Sequence, residues 1–280
     1  MSVAIVGSTV RDVVYLPGRA PTHSPGGSPI FAARALAALG VRVGIATRCD
    51  DPALAAPIAE LAAPLCLRLD STVVQSELRY REDGERDHVL AGIGVAWSED
   101  DLTGWAAPAL RGAGWVHAGT QRGGDLGPEV LAALAADGRS IALDAQGPLR
   151  LPQTGPLVLT GKLDAALLQH VQALKLSEEE AEAAFATVDA AAIQAQCRVP
   201  EVLVTFGFQG ASIACVGASG HVAAKAVTDI DPTGAGDAFL ASYAYARSAG
   251  AEPLDAGRTA CEGVSALFAA RAQAQQRARA

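Results

Sequence analysis

The sequence predicts an α/β fold in which a mostly parallel central sheet is covered by helices on both faces. Short β-branched runs alternate with longer Ala- and Leu-rich stretches along most of the chain. These runs are apolar almost throughout, as in strands that are buried on both faces. Residues 71–96 break the alternation, and their pattern predicts a small antiparallel β flap.

Size and charge limit the classes of protein that the chain can be. Its 280 residues lie near the upper end of the single-domain range, so we expect residues 1–280 to form one domain. The net charge of −8 argues against nucleic-acid and anionic-membrane partners, because both require a basic surface. No apolar window is long enough to cross a membrane, no basic leader precedes the first strand, and the odd cysteine count fits reduced thiols. We therefore expect a cytoplasmic protein.

The first half of the chain contains two strand–helix units, at residues 3–7 and 28–39 and at residues 41–47 and 52–62. Between residues 71 and 96, alternating residues flank Asp83-Gly84, a dipeptide typical of tight hairpins. With the apolar run at 13–16, this segment predicts a lid built from residues of about 10–25 and 71–96. An ordinary hairpin at the edge of the main sheet is the alternative.

The second half repeats the alternation of strands and helices. Strands are predicted at 115–119, 140–145, 171–176 and 201–206, with helices near 126–137, 163–169, 177–185 and 188–197. A further helix runs to about residue 249, and the tail after residue 269 is predicted to be a last helical turn that frays. In such a fold, ligands bind at the carboxyl ends of the strands.

The sequence DPTGAGDAF at residues 231–239 is the most informative motif. Gly234, Ala235 and Gly236 are small enough for backbone to approach a ligand closely, and their N–H groups open a helix, where an anion binds. Asp237 lies in the first turn of that helix, where an acid also has the ordinary task of matching the helix dipole. A carboxylate beside bound phosphates is suited to accept the proton of an attacking hydroxyl.

This motif resembles the C-terminal signature of the ribokinase-like (PfkB) carbohydrate kinases. Four other segments resemble family motifs in the same order, at residues 7–12, 25–40, 43–51 and 175–181, and a fifth lies at residues 204–210. The resemblance implies a three-layer α/β sandwich with a β flap, ATP and Mg²⁺ as cofactors, and a small polyhydroxylated acceptor. Asp237 would be the catalytic base, and the N–H groups of residues 234–236 would form the anion hole.

The resemblance also implies an acceptor site near the amino terminus. Asp12 would hold substrate hydroxyls, although a turn cap is the alternative, and the di-glycine Gly26-Gly27 would let a lid close. Phe31 stands where many sugar kinases have a substrate-binding Asn, so it would stack on the acceptor instead.

The segment LDAQGPLR resembles the branch of the family that contains nucleoside kinases and myo-inositol kinases. It places Asp144 and Gln146 at the exit of a central strand, with Arg150 four residues further on. Arg150 would bind a phosphate oxygen there, whereas a solvated surface arginine is the alternative.

The nucleotide side is predicted from two segments. In KLSEEE, Lys175 and Ser177 would face the nucleotide and Glu180 would support magnesium, although Glu in a first turn also matches the helix dipole. In VTFGFQG, Thr205, Gly207 and Gly210 would pass close to the nucleotide, and a simple strand–turn–strand hairpin is the alternative.

These observations predict an ATP-dependent kinase for a hydroxyl of a sugar, a cyclitol or a nucleoside. A ribokinase-fold sensor that binds ligands without turnover is the alternative, favoured by Phe31, Ser177 and Cys261, which depart from the family pattern. The spacing of the glycines in this sequence does not match the motifs of dinucleotide-binding oxidoreductases or of P-loop kinases. The exposed face of the flap could pair two subunits into a homodimer, with an acidic monomer as the alternative.

Overall fold

The computed structural model describes residues 2–82, 86–225 and 232–279. Within these ranges the chain forms two sheets, one of nine strands and one of five. Asp83 and Gly84 of the predicted hairpin turn lie outside the described residues, as do residues 226–231.

The strands and helices are numbered in chain order. The strands are β1 Ser2–Ser8, β2 Val10–Tyr15, β3 Thr22–Gly26, β4 Val43–Cys49, β5 Ala62–Leu69, β6 Gln75–Tyr80, β7 Arg86–Gly92, β8 Ala113–Gly119, β9 Ser140–Asp144, β10 Gly155–Pro156, β11 Ala173–Ser177, β12 Glu201–Thr205, β13 Ala211–Cys215 and β14 Ala218–Val222. The helices are α1 Ser28–Ala38, α2 Pro52–Ala59, α3 Glu99–Thr103, α4 Ala107–Leu110, α5 Pro128–Ala135, α6 Ala165–Leu168, α7 Glu178–Phe185, α8 Ala190–Cys197, α9 Ala235–Ser248 and α10 Pro253–Arg279.

The large sheet has the order β14-β13-β12-β11-β9-β8-β1-β4-β5. All neighbouring strands from β12 to β5 are parallel, whereas β13 and β14 add an antiparallel edge. Its two faces pack against separate apolar clusters, so that Val116 of β8 points into one and Trp115 into the other. Helices α1 and α9 supply much of the second cluster. The predicted mostly parallel sheet with helices on both faces is thereby confirmed.

The five-stranded sheet has the order β10-β7-β6-β2-β3 and is the predicted β flap. Strands β6 and β7 are antiparallel, as the hairpin pattern predicts, but β2 and β6 are parallel. Strand β10 also joins this sheet, from a segment for which the sequence predicts no strand. The division of the chain into one domain with a lid stays a prediction.

Strand β5 and helix α10 also differ from the sequence prediction. Strand β5 follows α2 directly and pairs with β4, at a place where no strand is predicted. Helix α10 continues through Arg279 instead of ending in a frayed turn after residue 269, and it packs along α9 and α1. Among the described residues, no helix combines the length and the apolar character that a membrane crossing requires.

Candidate active site

A cavity of about 400 Å³ lies at the carboxyl ends of the parallel strands, between the two sheets. Fourteen of the sixteen predicted site residues line it, and the exceptions are Gly26 and Gly210. Residues far apart in the chain meet here because β9, β11 and β12 end at the same edge of the sheet.

The glycine turn that precedes α9 forms one wall. Gly234 has φ of 79°, and a Cβ atom at this position would lie 2.1 Å from the ring of Phe31, so only glycine fits. The first N–H groups of α9 have no helical acceptors. That of Ala235, however, donates to the carbonyl oxygen of Pro232 at 3.0 Å. Because the Ala235 N–H is engaged, the predicted anion hole is left with the N–H groups of Gly234 and Gly236.

Asp237 lies in the first turn of α9 and faces the cavity. Burial raises its pKa to about 6, and the nearby Asp144 carboxylate adds to the rise. A hydrogen bond from Ser28 and the charges of Lys175 and Arg150 oppose it. A carboxyl group with this pKa is ionised at neutral pH and is a stronger base than an ordinary aspartate.

A buried ion pair lies beneath the glycine turn. The Lys175 Nζ lies 3.1 Å from both carboxylate oxygens of Asp144, its partner across β11 and β9. A Cβ at Gly236 would come within 2.8 Å of this Nζ, so the glycine lets the ammonium approach the turn. Burial would lower the pKa of Lys175, but Asp144, Glu180 and Asp237 outweigh burial and raise it. Lys175 is therefore a permanent cation at the site. Its partner Asp144 opens the D-x-Q-G-x-x-R pattern of the LDAQGPLR segment, from which the sequence analysis gave it no role.

Arg150 and Gln146 follow β9 into the cavity. Arg150 is buried, and its Nη1 donates to the side-chain oxygen of Gln121 at 3.3 Å, so it is not the solvated surface arginine of the alternative. The backbone N–H of Gln146 donates to Asp144 at 3.0 Å. Arg150 is close enough to lower the pKa of Asp237, which places its positive charge beside the proposed reaction centre.

Asp12 lies opposite this cluster, on β2 of the small sheet. Its carboxylate covers Gly26, since a Cβ there would lie 1.8 Å from the Asp12 Oδ2. Gly26 therefore makes room for Asp12 rather than lining the cavity. Ser76 and His88 line the same wall and are joined by a hydrogen bond of 2.5 Å between Oγ and Nε2. The sequence analysis missed both, because an alternating strand pattern does not indicate which polar side chains face a ligand.

Ser177 and Glu180 form a capping box at the start of α7. The Ser177 Oγ accepts from the Glu180 N–H at 3.2 Å, and the Glu180 Oε2 accepts from the Ser177 N–H at 2.8 Å. The same Oε2 lies 4.0 Å from the Lys175 Nζ. The pattern S-x-x-E thus has its ordinary helix-capping role here, and both residues also line the cavity.

A second cavity, of about 110 Å³, adjoins the first and shares with it Thr205, Gly207, Pro232, Ala235 and Gly236. Gly210 lines this second cavity, with φ of 106° and no room for a Cβ next to the backbone of Val222. Its remaining walls are mostly apolar and are formed by Phe208, Ala224, Phe239, Cys261, Val264 and Phe268, with Lys225 and Ser265 as the polar residues.

Phe31 is 8% exposed and packs beneath Gly234, with the Arg271 guanidinium 5.2 Å from its ring centre. These contacts support the glycine turn. Stacking of Phe31 on an acceptor stays a prediction.

Two curated relatives share sequence with this chain. "Inositol 3-kinase" of Zea mays is 34% identical over 137 residues, which is 48% of this chain and 34% of the maize protein. "Inositol 3-kinase" of Oryza sativa subsp. japonica is 28% identical over 265 residues, which is 90% of this chain and 64% of the rice protein. The chain therefore spans less than two thirds of either plant protein.

Solved structures share the fold. A pyrophosphate-dependent kinase in the ribokinase family, complexed with a pyrophosphate analog and myo-inositol, has a TM-score of 0.81 at 20% identity, over 95% of this chain and 94% of that one. Arabidopsis thaliana ribokinase, complexed with ribose and ATP, has a TM-score of 0.71 at 21% identity, over 94% of this chain and 91% of that one. The architecture is thus ribokinase-like.

The family model described as "pfkB family carbohydrate kinase" matches residues 129–277, just over half of the chain. This range contains the glycine turn, Asp237, Lys175 and the Gln146–Arg150 segment. The chain belongs to the pfkB family of carbohydrate kinases.

Proposed function

We propose that this protein transfers the terminal phosphoryl group of ATP to a hydroxyl of a small cyclitol or sugar. One observation carries the proposal: a carboxylate of raised pKa, Asp237, stands beside a helix-opening glycine turn in a cavity that also holds fixed cations. A base for the hydroxyl and a place for the phosphate therefore lie side by side.

The acceptor half of the cavity is polar. Asp12, Ser76, His88 and Gln121 line it, and they offer both donors and acceptors to a ring that carries several hydroxyls. The curated relatives are named inositol 3-kinases, and one structural neighbour was solved with myo-inositol. We therefore favour a cyclitol among the acceptors that the sequence predicts, ahead of a sugar or a nucleoside.

The donor is inferred from the second cavity. Its phenylalanine and aliphatic walls suit a flat purine, and it opens onto the glycine turn through the residues that the two cavities share. Pyrophosphate has no apolar part that would use these walls. Although one structural neighbour is a pyrophosphate-dependent kinase, this cavity favours a nucleoside triphosphate.

Magnesium fits the site when most of its ligands come from the phosphates and water. Among the described residues, no group of three potential ligands is close enough to hold a metal ion. Glu179 and Glu180 line the cavity, and Glu180 already gives one oxygen to the helix cap. These two carboxylates would hold the ion from one side, and magnesium would neutralise charge on the phosphate oxygens.

The proposed step moves one proton and one phosphoryl group. The acceptor O–H gives its proton to the Asp237 carboxylate while its oxygen bonds to the γ-phosphorus, and the bond from that phosphorus to the β–γ bridging oxygen breaks to release ADP. The N–H groups of Gly234 and Gly236, with Arg150 and Lys175, stabilise negative charge on the transferred group.

The test is a turnover assay on the purified protein with Mg²⁺, ATP or pyrophosphate, and myo-inositol, ribose and adenosine as acceptors. We expect ATP-dependent phosphorylation of myo-inositol, identified by phosphorus NMR of the product. Turnover with pyrophosphate alone would contradict the proposed donor. Ligands that raise the melting temperature without any turnover would instead support the sensor alternative.

Asp237→Asn is the first variant to test. The amide cannot accept the proton, so kcat should fall by about 10²–10⁴, the usual contribution of a general base. ATP binding, measured by calorimetry, should remain within a few-fold of the wild-type value. Retained turnover would remove Asp237 from the role of base.

A further inference from the structure

We propose that Ser28 and His117 are positioning residues that hold Asp237 in its ionised form through a chain of hydrogen bonds. The inference rests on the proposed function, in which Asp237 is the base. The chain runs from His117 on β8, through Ser28 at the first residue of α1, to Asp237 in the first turn of α9. It therefore joins three separate elements behind the carboxylate.

The first link of the chain is short, because the His117 Nε2 lies 2.6 Å from the Ser28 Oγ. The Ser28 hydroxyl is in turn close enough to the Asp237 carboxyl group to lower its pKa as a hydrogen-bond donor. His117 and Ser28 are at most 1% exposed, so water does not compete for these bonds. Neither residue lines the cavity, which separates them from the groups that touch a substrate.

The direction of each hydrogen bond follows from a count of protons. Ionised Asp237 can only accept, so the single hydroxyl proton of Ser28 must point toward it. The Ser28 Oγ is then an acceptor, and His117 must donate from Nε2. The His117 Nδ1 is buried and has no hydrogen-bond partner among the described residues, so a lone pair there costs less than an unpaired N–H. Burial lowers the pKa of His117 to about 4, which keeps the ring neutral.

A glycine leaves space for this pair. A Cβ at Gly119 would lie 1.9 Å from the Ser28 Oγ and 3.0 Å from the His117 Nε2. Any larger residue at the end of β8 would separate the serine from the histidine.

Three charged groups surround the chain of hydrogen bonds. Asp144 and Lys175 face His117, with opposite effects on its pKa. Asp144, Lys175 and Arg150 face Asp237. The substitutions below leave these three groups in place, so a change in the titration of Asp237 reports on the hydrogen bonds alone.

The positioning role makes a specific prediction for the pH profile. In Ser28→Ala, the ionised Asp237 carboxylate loses a hydrogen-bond donor, so its pKa should rise. The acid limb of the kcat/KM profile should therefore move to higher pH by roughly one pH unit. Activity near pH 9 should stay within about twofold of wild type, since Asp237 is ionised there in both proteins. A merely structural role would instead lower activity by the same factor at every pH.

His117 is tested by a matched pair of variants. His117→Phe removes the donor to Ser28 and should shift the acid limb in the same direction by a smaller amount. His117→Gln can place an amide N–H near the position of Nε2 and should restore the wild-type limb. Ser242→Ala is the control and should leave the acid limb in place. Ser242 lies on α9 and is fully buried, and its hydroxyl has no hydrogen-bond partner among the described residues.

A second measurement does not depend on activity. Nitrogen-15 NMR of histidine-labelled protein at pH 7 should show His117 as the neutral tautomer that is protonated at Nε2. The Nδ1-protonated tautomer, or an unmoved acid limb in Ser28→Ala while Asp237→Asn is inactive, would overturn the positioning role. Loss of the proposed function has a different signature, namely wild-type protein without kinase activity or an active Asp237→Asn variant.

Discussion

At the scale of single residues, the basicity of Asp237 depends on the charges that the cavity places around it. Asp144 raises its pKa, whereas Lys175 and Arg150 lower it. The carboxyl group is thus basic enough to accept a proton and still ionised at neutral pH.

The acid side of the pH profile follows from this balance. Asp237 must be ionised to act as a base, and its pKa is about 6. The kcat/KM of the wild-type protein should therefore fall about tenfold per pH unit below that value, as the carboxyl group protonates. An ordinary aspartate would lose activity only near pH 4. A rate that stays constant from pH 7 to pH 5 would exclude Asp237 as the titrating base.

Gly234 is predicted to be irreplaceable for two separable reasons. Gly234→Ala combines a positive φ with a Cβ that overlaps Phe31, so we expect the glycine turn to move and kcat to fall at least tenfold. Gly250→Ala is the control, because Gly250 has φ of 91° but open space around it. The control should lose about 1 kcal/mol in the free energy of unfolding and keep its activity. Equal activity in the two variants would show that the turn does not take part.

The residues of the site were predictable where a motif of fixed spacing identifies them. The DPTGAGDAF motif identifies Asp237 and the glycine turn, and the structure places them at one cavity with most of the other predicted residues. Ser28 lies within the matched segment 25–40, but that motif gives it no role, and His117 belongs to no motif. A histidine within the apolar strand WVHAG is the only sequence feature that could have drawn attention to the pair.

At the scale of elements, α9 carries Asp237 and is held against the sheet by Glu201 of β12. Glu201 is 2% exposed; its Oε2 accepts from the Tyr243 hydroxyl at 2.6 Å, and its Oε1 accepts from Arg247 at 2.7 Å. Burial and Glu201 raise the pKa of Tyr243, so its hydroxyl stays protonated and donates. Gln172 adds a third donor at 3.1 Å.

Removal of the cation from this cluster should destabilise the fold. Arg247→Met leaves the buried Glu201 carboxylate without its counter-charge, and we expect a loss of about 3–5 kcal/mol in the free energy of unfolding. Arg258→Met is the control, since it breaks the exposed pair with Asp255 on α10 and should cost about 0–1 kcal/mol. Urea denaturation measures both. Equal midpoints would show that the cluster does not anchor α9.

The order of the elements was predictable from the alternation of apolar strands and helices. The antiparallel edge formed by β13 and β14 and the parallel pairing of β2 with β6 were not. The pairing of β2 with β6 joins distant segments, which local periodicity does not record. Strands β13 and β14 are neighbours in the chain, but the ASGHV sequence of β14 has too few apolar residues to predict a strand.

At the scale of the whole molecule, two sheets meet over one site. The small sheet supplies Asp12, Ser76 and His88, and the large sheet supplies Asp144, Lys175 and Thr205. A homodimer through the small sheet stays a prediction.

Ligands that bind across both sheets should stabilise the whole fold. At a concentration of 100 Kd, a ligand adds about 2.7 kcal/mol to the free energy of unfolding, or roughly 5–10 °C in the melting temperature. We expect this shift with ATP–Mg²⁺ and with myo-inositol, measured by calorimetry. Asp237→Asn should show the same shifts, because the change affects proton transfer more than binding. No shift with any acceptor of the panel would contradict the proposed acceptor site.

The boundary that the two cavities share includes the backbone of the glycine turn at Ala235 and Gly236. An inhibitor that tethers a purine to a cyclitol through a short polyphosphate could therefore occupy both chambers at once. Once one end is bound, the effective concentration of the other end reaches the millimolar range. The tethered compound should therefore bind more tightly than either fragment by orders of magnitude.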